Sequence, residues 1–160
     1  MKINRAERGD LARILAIQKE AFREEAVRYG DFSLPPLLET YEEIASEFES
    51  KVFLKAELEG FLVGAVRAQV TGATCLIGRL VVDPRFQSRG IGSALLLQVE
   101  SVFPEVERFE LFTGDQSEGN IRLYERHGYV GFRKEVLSAR ATLIYMQKMR
   151  ALPESAGSGC

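Results

Sequence analysis

Tryptophan is absent from this 160-residue sequence, histidine occurs once, as His127, and cysteine twice, as Cys75 and Cys160. One histidine rules out metal centres built from several imidazoles and leaves few histidine-dependent triads to consider. Its place at the end of a predicted helix, where an imidazolium suits the helix dipole, accounts for it as a structural residue. Neither cysteine has a second Cys or His at ligand spacing, which argues against zinc and gives no reason to expect a metal. Excess charge is missing too: the formal net charge is −2, so there is no sign of the basic face that nucleic-acid binders carry. No run approaches the roughly 20 apolar residues needed to cross a bilayer. The opening Met1-Lys2-Ile3-Asn4-Arg5 has no apolar stretch of the signal-peptide kind. We therefore expect no nucleic-acid partner, no membrane partner and a cytoplasmic location.

What is present describes an ordinary globular chain, with 46% hydrophobic and 28% charged residues. The length suits one domain that builds its core without disulfide or metal staples. We assign residues 1–150 to that domain and 151–160 to a short, small and polar tail, of a kind expected to be mobile.

A short strand is predicted near residues 2–5. Asp10 is placed to cap a helix in which Leu11, Ile14, Leu15, Ala21 and Phe22 recur at helical spacing. Ser33-Leu34-Pro35-Pro36 breaks it, because proline lacks a donor N–H and restricts the residue before it. A second amphipathic helix follows over about residues 39–48. Three strands, near 52–58, 61–70 and 75–82, then read as an antiparallel meander closed by turns at Glu59-Gly60 and Gly72. After Asp83-Pro84 come a glycine-bearing loop, a helix over about 90–103, a strand over 107–113 and a helix over 117–127 with Gly128 as a left-handed cap. Two strands, near 129–136 and 141–149, finish a mixed α+β domain.

The most informative stretch is Leu80-Val81-Val82-Asp83-Pro84-Arg85-Phe86-Gln87-Ser88-Arg89-Gly90-Ile91-Gly92-Ser93. A buried strand ends, a short loop follows, and two glycines stand at the start of an amphipathic helix. The first N–H groups of a helix have no intrahelical partners, and the dipole adds partial positive charge there. Gly90 and Gly92 remove side chains that would hold a large anion away from those donors, so the segment suits a phosphate or pyrophosphate. The same glycines also fit a tight loop that only lets helix and sheet approach. Two familiar nucleotide patterns fail: no lysine follows Gly92, and Leu95 stands where a third dinucleotide-binding glycine would be.

Gln87-Ser88-Arg89-Gly90-Ile91-Gly92 resembles the Q/R-x-x-G-x-G/A signature of the GNAT superfamily of acetyl-CoA-dependent N-acetyltransferases, and Leu80-Val81-Val82-Asp83-Pro84 resembles that family's fourth strand and its exit. A second block, Asn120-Ile121-Arg122-Leu123-Tyr124-Glu125-Arg126-His127-Gly128-Tyr129, is similar to its N-x-x-x-x-Y-x-x-x-G-F/Y segment. The resemblance implies a largely antiparallel sheet of about seven strands flanked by about four helices, with a splayed parallel pair at the acyl-CoA site. It implies N-acetyltransferase activity with acetyl-CoA as co-substrate and a primary amine, expected to be a small molecule, as acceptor. It implies that backbone amides of Gln87, Ser88, Arg89, Gly90, Ile91, Gly92 and Ser93 hold the coenzyme pyrophosphate. Leu80 and Val82 would hold the pantetheine arm, and the Leu80 N–H would stabilise the oxyanion that forms on the thioester. Tyr124 would bind the coenzyme and act as general acid to its thiolate, although by spacing alone it also reads as a core aromatic. Asn120 would bind the coenzyme arm or fix the splayed strands, although helix starts favour Asn without further function.

The resemblance leaves two points open. The family's frequent glutamate on the fourth strand has no counterpart in Cys75-Leu76-Ile77-Gly78-Arg79, so the catalytic base is unassigned. The acceptor is unassigned as well. Glu20, Glu24, Glu25, Asp31, Glu39, Glu42, Glu43, Glu47 and Glu49 outnumber Arg23 and Arg28 over residues 20–49, and read either as an acidic rim for a cationic amine or as a solvated helix face. Arg67 and Arg79 on neighbouring strands point instead to a substrate carboxylate. A protein N-terminal or lysine acetyltransferase, and a non-enzymatic acyl-CoA-binding regulatory module, remain as alternatives, and a homodimer is common among relatives.

Overall fold

In the computed structural model, which describes residues 1–150, the chain enters through β1 (Lys2–Arg5) and a short helical turn, Arg8–Asp10, into α1 (Leu11–Tyr29). Asp10 does not cap α1: its carboxylate accepts from the Glu7 N–H at 2.7 Å and so closes the preceding turn. The long helix ends at Tyr29 under a left-handed Gly30 cap, φ 61°, before it reaches the prolines; these open a helical turn of their own, α2 (Pro35–Leu38), because a first-turn N–H needs no intrahelical acceptor. Thr40 then caps α3 (Tyr41–Ser50): its hydroxyl accepts from Glu43 N at 3.2 Å, and the Glu43 carboxylate accepts from Thr40 N at 2.9 Å. The remaining order is β2 (Val52–Leu58), β3 (Phe61–Thr71), β4 (Thr74–Val82), α4 (Ile91–Val102), β5 (Arg108–Gly114), α5 (Glu118–Arg126), β6 (Val130–Val136) and β7 (Thr142–Met149). The tail reading, with Cys160, lies outside the described residues.

The strands form one sheet in the order β1-β2-β3-β4-β5-β7-β6. Every neighbouring pair is antiparallel except β4 and β5, which run parallel because α4 carries the chain back between them. Each face is covered. On one, Ile91, Leu95, Leu96 and Val99 of α4 pack with Leu54, Val66, Ala68, Ile77, Phe109 and Leu111. On the other, Leu11, Ile14 and Ile17 of α1 and Ile44 of α3 pack with Phe53, Ala65 and Val81.

Two irregularities of this sheet position the site. β4 and β5 pair only at Thr74–Arg108, Cys75–Phe109 and Leu76–Glu110, after which they diverge and leave the upper edge of β4 free. In the same stretch β4 carries a bulge: Ala65 pairs with Val81 and Arg67 with Gly78, so Arg79 and Leu80 together face Val66. Arg79 takes the left-handed conformation there, with φ 50°. The extra residue also shifts the alternation of faces, which is why Ile77 and Val81, four positions apart, fall into different cores.

Candidate functional site

The parted strands open onto two cavities. The first, of about 380 Å³, runs from Leu80 and Val82 past the 86–93 loop to α5. The second, of about 320 Å³, lies between β4, β5, β7 and the end of α1. Leu80, Asn120, Phe22 and Glu25 line both, so the two meet at the point where β4 and β5 separate.

The first cavity is bounded on one side by the end of β4, the 86–93 loop and the start of α4, and on the other by α1 and α5. Asp83 ends β4, fully buried, and accepts from the Arg85 N–H at 3.0 Å, from the Arg85 guanidinium and from Arg13 at 2.8 Å. Those bonds, led by Arg85 and outweighing burial, hold its carboxyl at about 2. The chain then turns through Ser88 at φ 64° and Gly90 at φ 79°; Gly90 takes this conformation at no steric cost. The first backbone bond of α4 runs from Ala94 N to Gly90 O at 3.0 Å, so the N–H groups of Ile91, Gly92 and Ser93 begin the helix with none of its carbonyls to meet. A Cβ on Gly92 would lie 3.4 Å from Leu123, closing the gap between α4 and α5. Gln87, Ser88, Gly90, Ile91, Gly92 and Ser93 line this cavity, whereas Arg89 does not: its guanidinium lies over the Phe86 ring at 5.4 Å. The loop fits a pyrophosphate, and Arg28 and Arg126, which sequence reading did not single out, add two guanidinium groups to the wall.

α5 faces the crevice with Tyr124, which is 5% exposed and lines the second cavity rather than the first. Burial, and then the Glu25 carboxylate, push its phenol well above the ordinary 10. Asn120 Nδ2 donates to the Thr113 hydroxyl at 3.3 Å, tying α5 to the end of β5. Ser117 does not cap α5; its hydroxyl donates to Glu25 instead. His127, accounted for by its helix end alone, also touches the site, with Nε2 2.9 Å from Ser93 Oγ.

α1 supplies the opposite wall through Phe22, Glu25 and Tyr29, spaced three and four residues apart on one helix face. The Tyr29 hydroxyl accepts from the Gln116 N–H at 2.6 Å and sits over Gly114, where any Cβ would collide with it. Glu25 accepts from Arg28 and Ser117. It is the carboxylate common to both cavities, and no motif pointed to it. The helical spacing was visible in the sequence, but not the fact that this face meets the crevice.

The acidic segment proves largely occupied. Glu49 pairs with Arg8, Glu47 with Lys51 and Arg67, Asp31 accepts from Ser33 and Ser138, and Glu43 belongs to the α3 cap. Arg67 is buried and fully committed: it donates to Glu39 at 3.0 and 3.1 Å, to Glu47 at 2.6 Å and to Gln18 at 2.8 Å. Burial alone would raise the Glu39 carboxyl, but the bonds from Arg67 and Gln18 outweigh it and hold the group at about 2. Of the two arginines singled out by sequence, only Arg79 reaches a cavity. Cys75 is buried in β4 with its thiol pushed up to about 12 by burial, which leaves it no thiolate character near neutrality. Among the described residues no group of three or more His, Cys, Asp or Glu is placed to hold a metal, and no helix is long and apolar enough to cross a membrane.

Comparison with known proteins agrees with this architecture. The crystal structure of the ribosomal-protein-S18-alanine N-acetyltransferase from Escherichia coli superposes with a TM-score of 0.78 over 97% of this chain and 97% of that one, at 20% identity. The PaiA N-acetyltransferase from Thermoplasma acidophilum, solved in complex with coenzyme A, gives 0.68 over 93% of this chain and 98% of that one, also at 20% identity. Both show the shared fold. In sequence, the chain is 32% identical over 114 residues to a mycothiol acetyltransferase of Acidimicrobium ferrooxidans, covering 67% of this chain. It is 30% identical over 116 residues to the UPF0157 protein YqkA of Bacillus subtilis, covering 72%. The matches span 36% and 33% of those two longer relatives. The profile of the Acetyltransferase (GNAT) family matches residues 11–129, from the start of α1 past the end of α5, and the chain therefore belongs to that family.

Proposed function

We propose that this chain transfers an acetyl group from acetyl-CoA to a primary amine, probed first as a small molecule, by direct attack of the amine on the thioester. The observation that carries the reading is the meeting of the two cavities at Leu80, with a helix N-terminus suited to a pyrophosphate at the far end of the first. On this reading the amine nitrogen attacks the thioester carbonyl carbon, and the Leu80 N–H stabilises the oxyanion that forms. Glu25, which lines both cavities, takes the proton that the amine loses, directly or through water. As the C–S bond breaks, the Tyr124 hydroxyl gives its proton to the departing thiolate. The phenol is protonated throughout the neutral range and so has the proton to give, while burial, which raises its pKa, makes that transfer harder rather than easier.

The test is release of free thiol from acetyl-CoA in the presence of polyamines, aminoglycosides, amino acids and short peptides, with Tyr124→Phe alongside. Tyr124→Phe is expected to lower kcat by about 100-fold or more, with acetyl-CoA still protecting the variant against heat. Release with peptides alone would move the reading to protein N-termini or lysines. Heat protection without release would favour a binding module, and neither binding nor release would remove the reading altogether.

A further inference from the structure

Arg79 is a charged side chain with no adequate partner among the described residues. Its Nε is buried without a hydrogen bond. The nearest anion, Glu39 Oε1, lies 3.9 Å away, beyond hydrogen-bonding distance. That oxygen is already taken, by Gln18 at 2.8 Å and Arg67 at 3.1 Å, and the other Glu39 oxygen by Arg67 at 3.0 Å. Glu47, the next carboxylate in the cluster, is held by Arg67 and Lys51. Burial, the largest influence on the guanidinium, lowers its pKa; an arginine remains cationic even so, and its charge is left under-compensated. The backbone adds a second cost, since a long side chain at φ 50° sits in a conformation that glycine would adopt freely. A leucine or methionine would fill the same space without the unsatisfied donor, at the same backbone cost.

The surroundings say what would compensate it. Arg79 lines the second cavity, and it is the one basic residue among those that do. Two acidic residues share that lining. Glu135 is paired with Arg133 at 2.9 Å, and Glu25, which accepts from Arg28 and Ser117, stands at the junction with the first cavity. The bulge places Arg79 next to Leu80 opposite a single residue of β3, so the cation flanks the position proposed for the thioester. The cavity thus carries a carboxylate at its junction with the first cavity, where the attacking amine must arrive, and a guanidinium in its own wall.

We propose that Arg79 binds a carboxylate of the acceptor, and that the acceptor is therefore an amine bearing a nearby carboxylate, of the free amino acid class, rather than a polyamine or an aminoglycoside. This rests on the acetyl-transfer reading. The ammonium of such a molecule is drawn toward Glu25 and its carboxylate toward Arg79, so one zwitterion answers both charges. A guanidinium–carboxylate pair in the cavity supplies the counter-charge that Glu39, already engaged, does not.

The experiment compares free amino acids, β-alanine and 4-aminobutyrate with their amides and with the matching amines that lack the carboxyl group, measuring thiol release from acetyl-CoA. The expected result is a preference for the acid of about 10–100-fold in kcat/KM, the scale of a charge-assisted hydrogen bond. In Arg79→Gln that ratio should fall to near one, mostly through KM, and Arg79→Lys should restore part of it. Acetyl-CoA protection against heat, measured on each variant, shows that it is folded with the first cavity intact. Equal use of acids and amides by the unsubstituted protein would overturn the proposal, and so would a ratio that Arg79→Gln leaves unchanged. If no amine releases thiol while acetyl-CoA still binds, transfer itself has failed. The anchor is then judged by calorimetry with the same amino acids in the presence of coenzyme A: binding lost in Arg79→Gln sustains it, and no binding to the unsubstituted protein ends it.

Discussion

The two cavities that meet at Leu80 are built on different terms. One wall of the first is consecutive in sequence, the free edge of β4, the 86–93 loop and the start of α4, and it offers helix N–H groups that no carbonyl of the helix meets. The second is walled by side chains from α1, α2, β4, β5, α5 and β7, positioned by buried polar bonds between distant segments. Peptide groups are the same in every residue, so a main-chain site tolerates side-chain change but not backbone crowding. A site made of side chains is tuned by single replacements and depends on the network that aims them.

That contrast can be broken in four places, taken from the largest expected effect down. Tyr124→Phe stands first, with its fall of about 100-fold or more in kcat. Arg67→Met comes next: it leaves the buried Glu39 carboxylate without its cation and should cost about 3–5 kcal/mol in urea unfolding. Acid should erode that network and, separately, the Asp83 pairs with Arg85 and Arg13. Glu39 falls from an ordinary 4.5 to about 2 on folding, and Asp83 from 3.8 to about 2. The unfolded chain therefore binds more protons between those values. This contribution is complete above about pH 4.5 and lost as pH falls toward 2; thermal melts across that range should show it, with a shallower slope in Glu39→Gln. The smallest effects concern the first cavity. Gly92→Val, crowding Leu123, should weaken acetyl-CoA binding about tenfold, in the range of an overpacked contact. Gln87→Ala and Arg89→Ala should change it less than about threefold. Calorimetry with acetyl-CoA decides the pair: a large loss in Gln87→Ala would mean that side chains, not peptide groups, do the holding.

The same division decides what was legible in advance. The β2-β3-β4 meander, the loop and the helices on either side of β5 follow from local pattern, because strand alternation, turns and helix periodicity are written in neighbouring residues. So do the strand end, the glycine-bearing loop and the helix start that lie together within fourteen residues, Leu80 to Ser93. The caps were less legible, since Asp10 and Ser117 have the right chemistry for a cap yet bond elsewhere. Least legible was the second cavity. Glu25 and Phe22 look like any helical residues until α1 is laid across the sheet, and nothing in Val66-Arg67-Ala68 or Gly78-Arg79-Leu80 says which arginine the fold consumes. The bulge that separates their fates has no signature stronger than one glycine beside a charged residue.

The left-handed turn at Arg79 also bears on how this protein tolerates improvement. An engineer seeking heat resistance would examine non-glycine residues at positive φ and replace this one with glycine, relieving backbone strain and removing a buried, unsatisfied nitrogen at once. Screens for thermal resistance alone would therefore favour losing the residue that, on our reading, recognises the acceptor. Libraries built on this scaffold should hold position 79 fixed, or vary it only when the selection itself demands turnover.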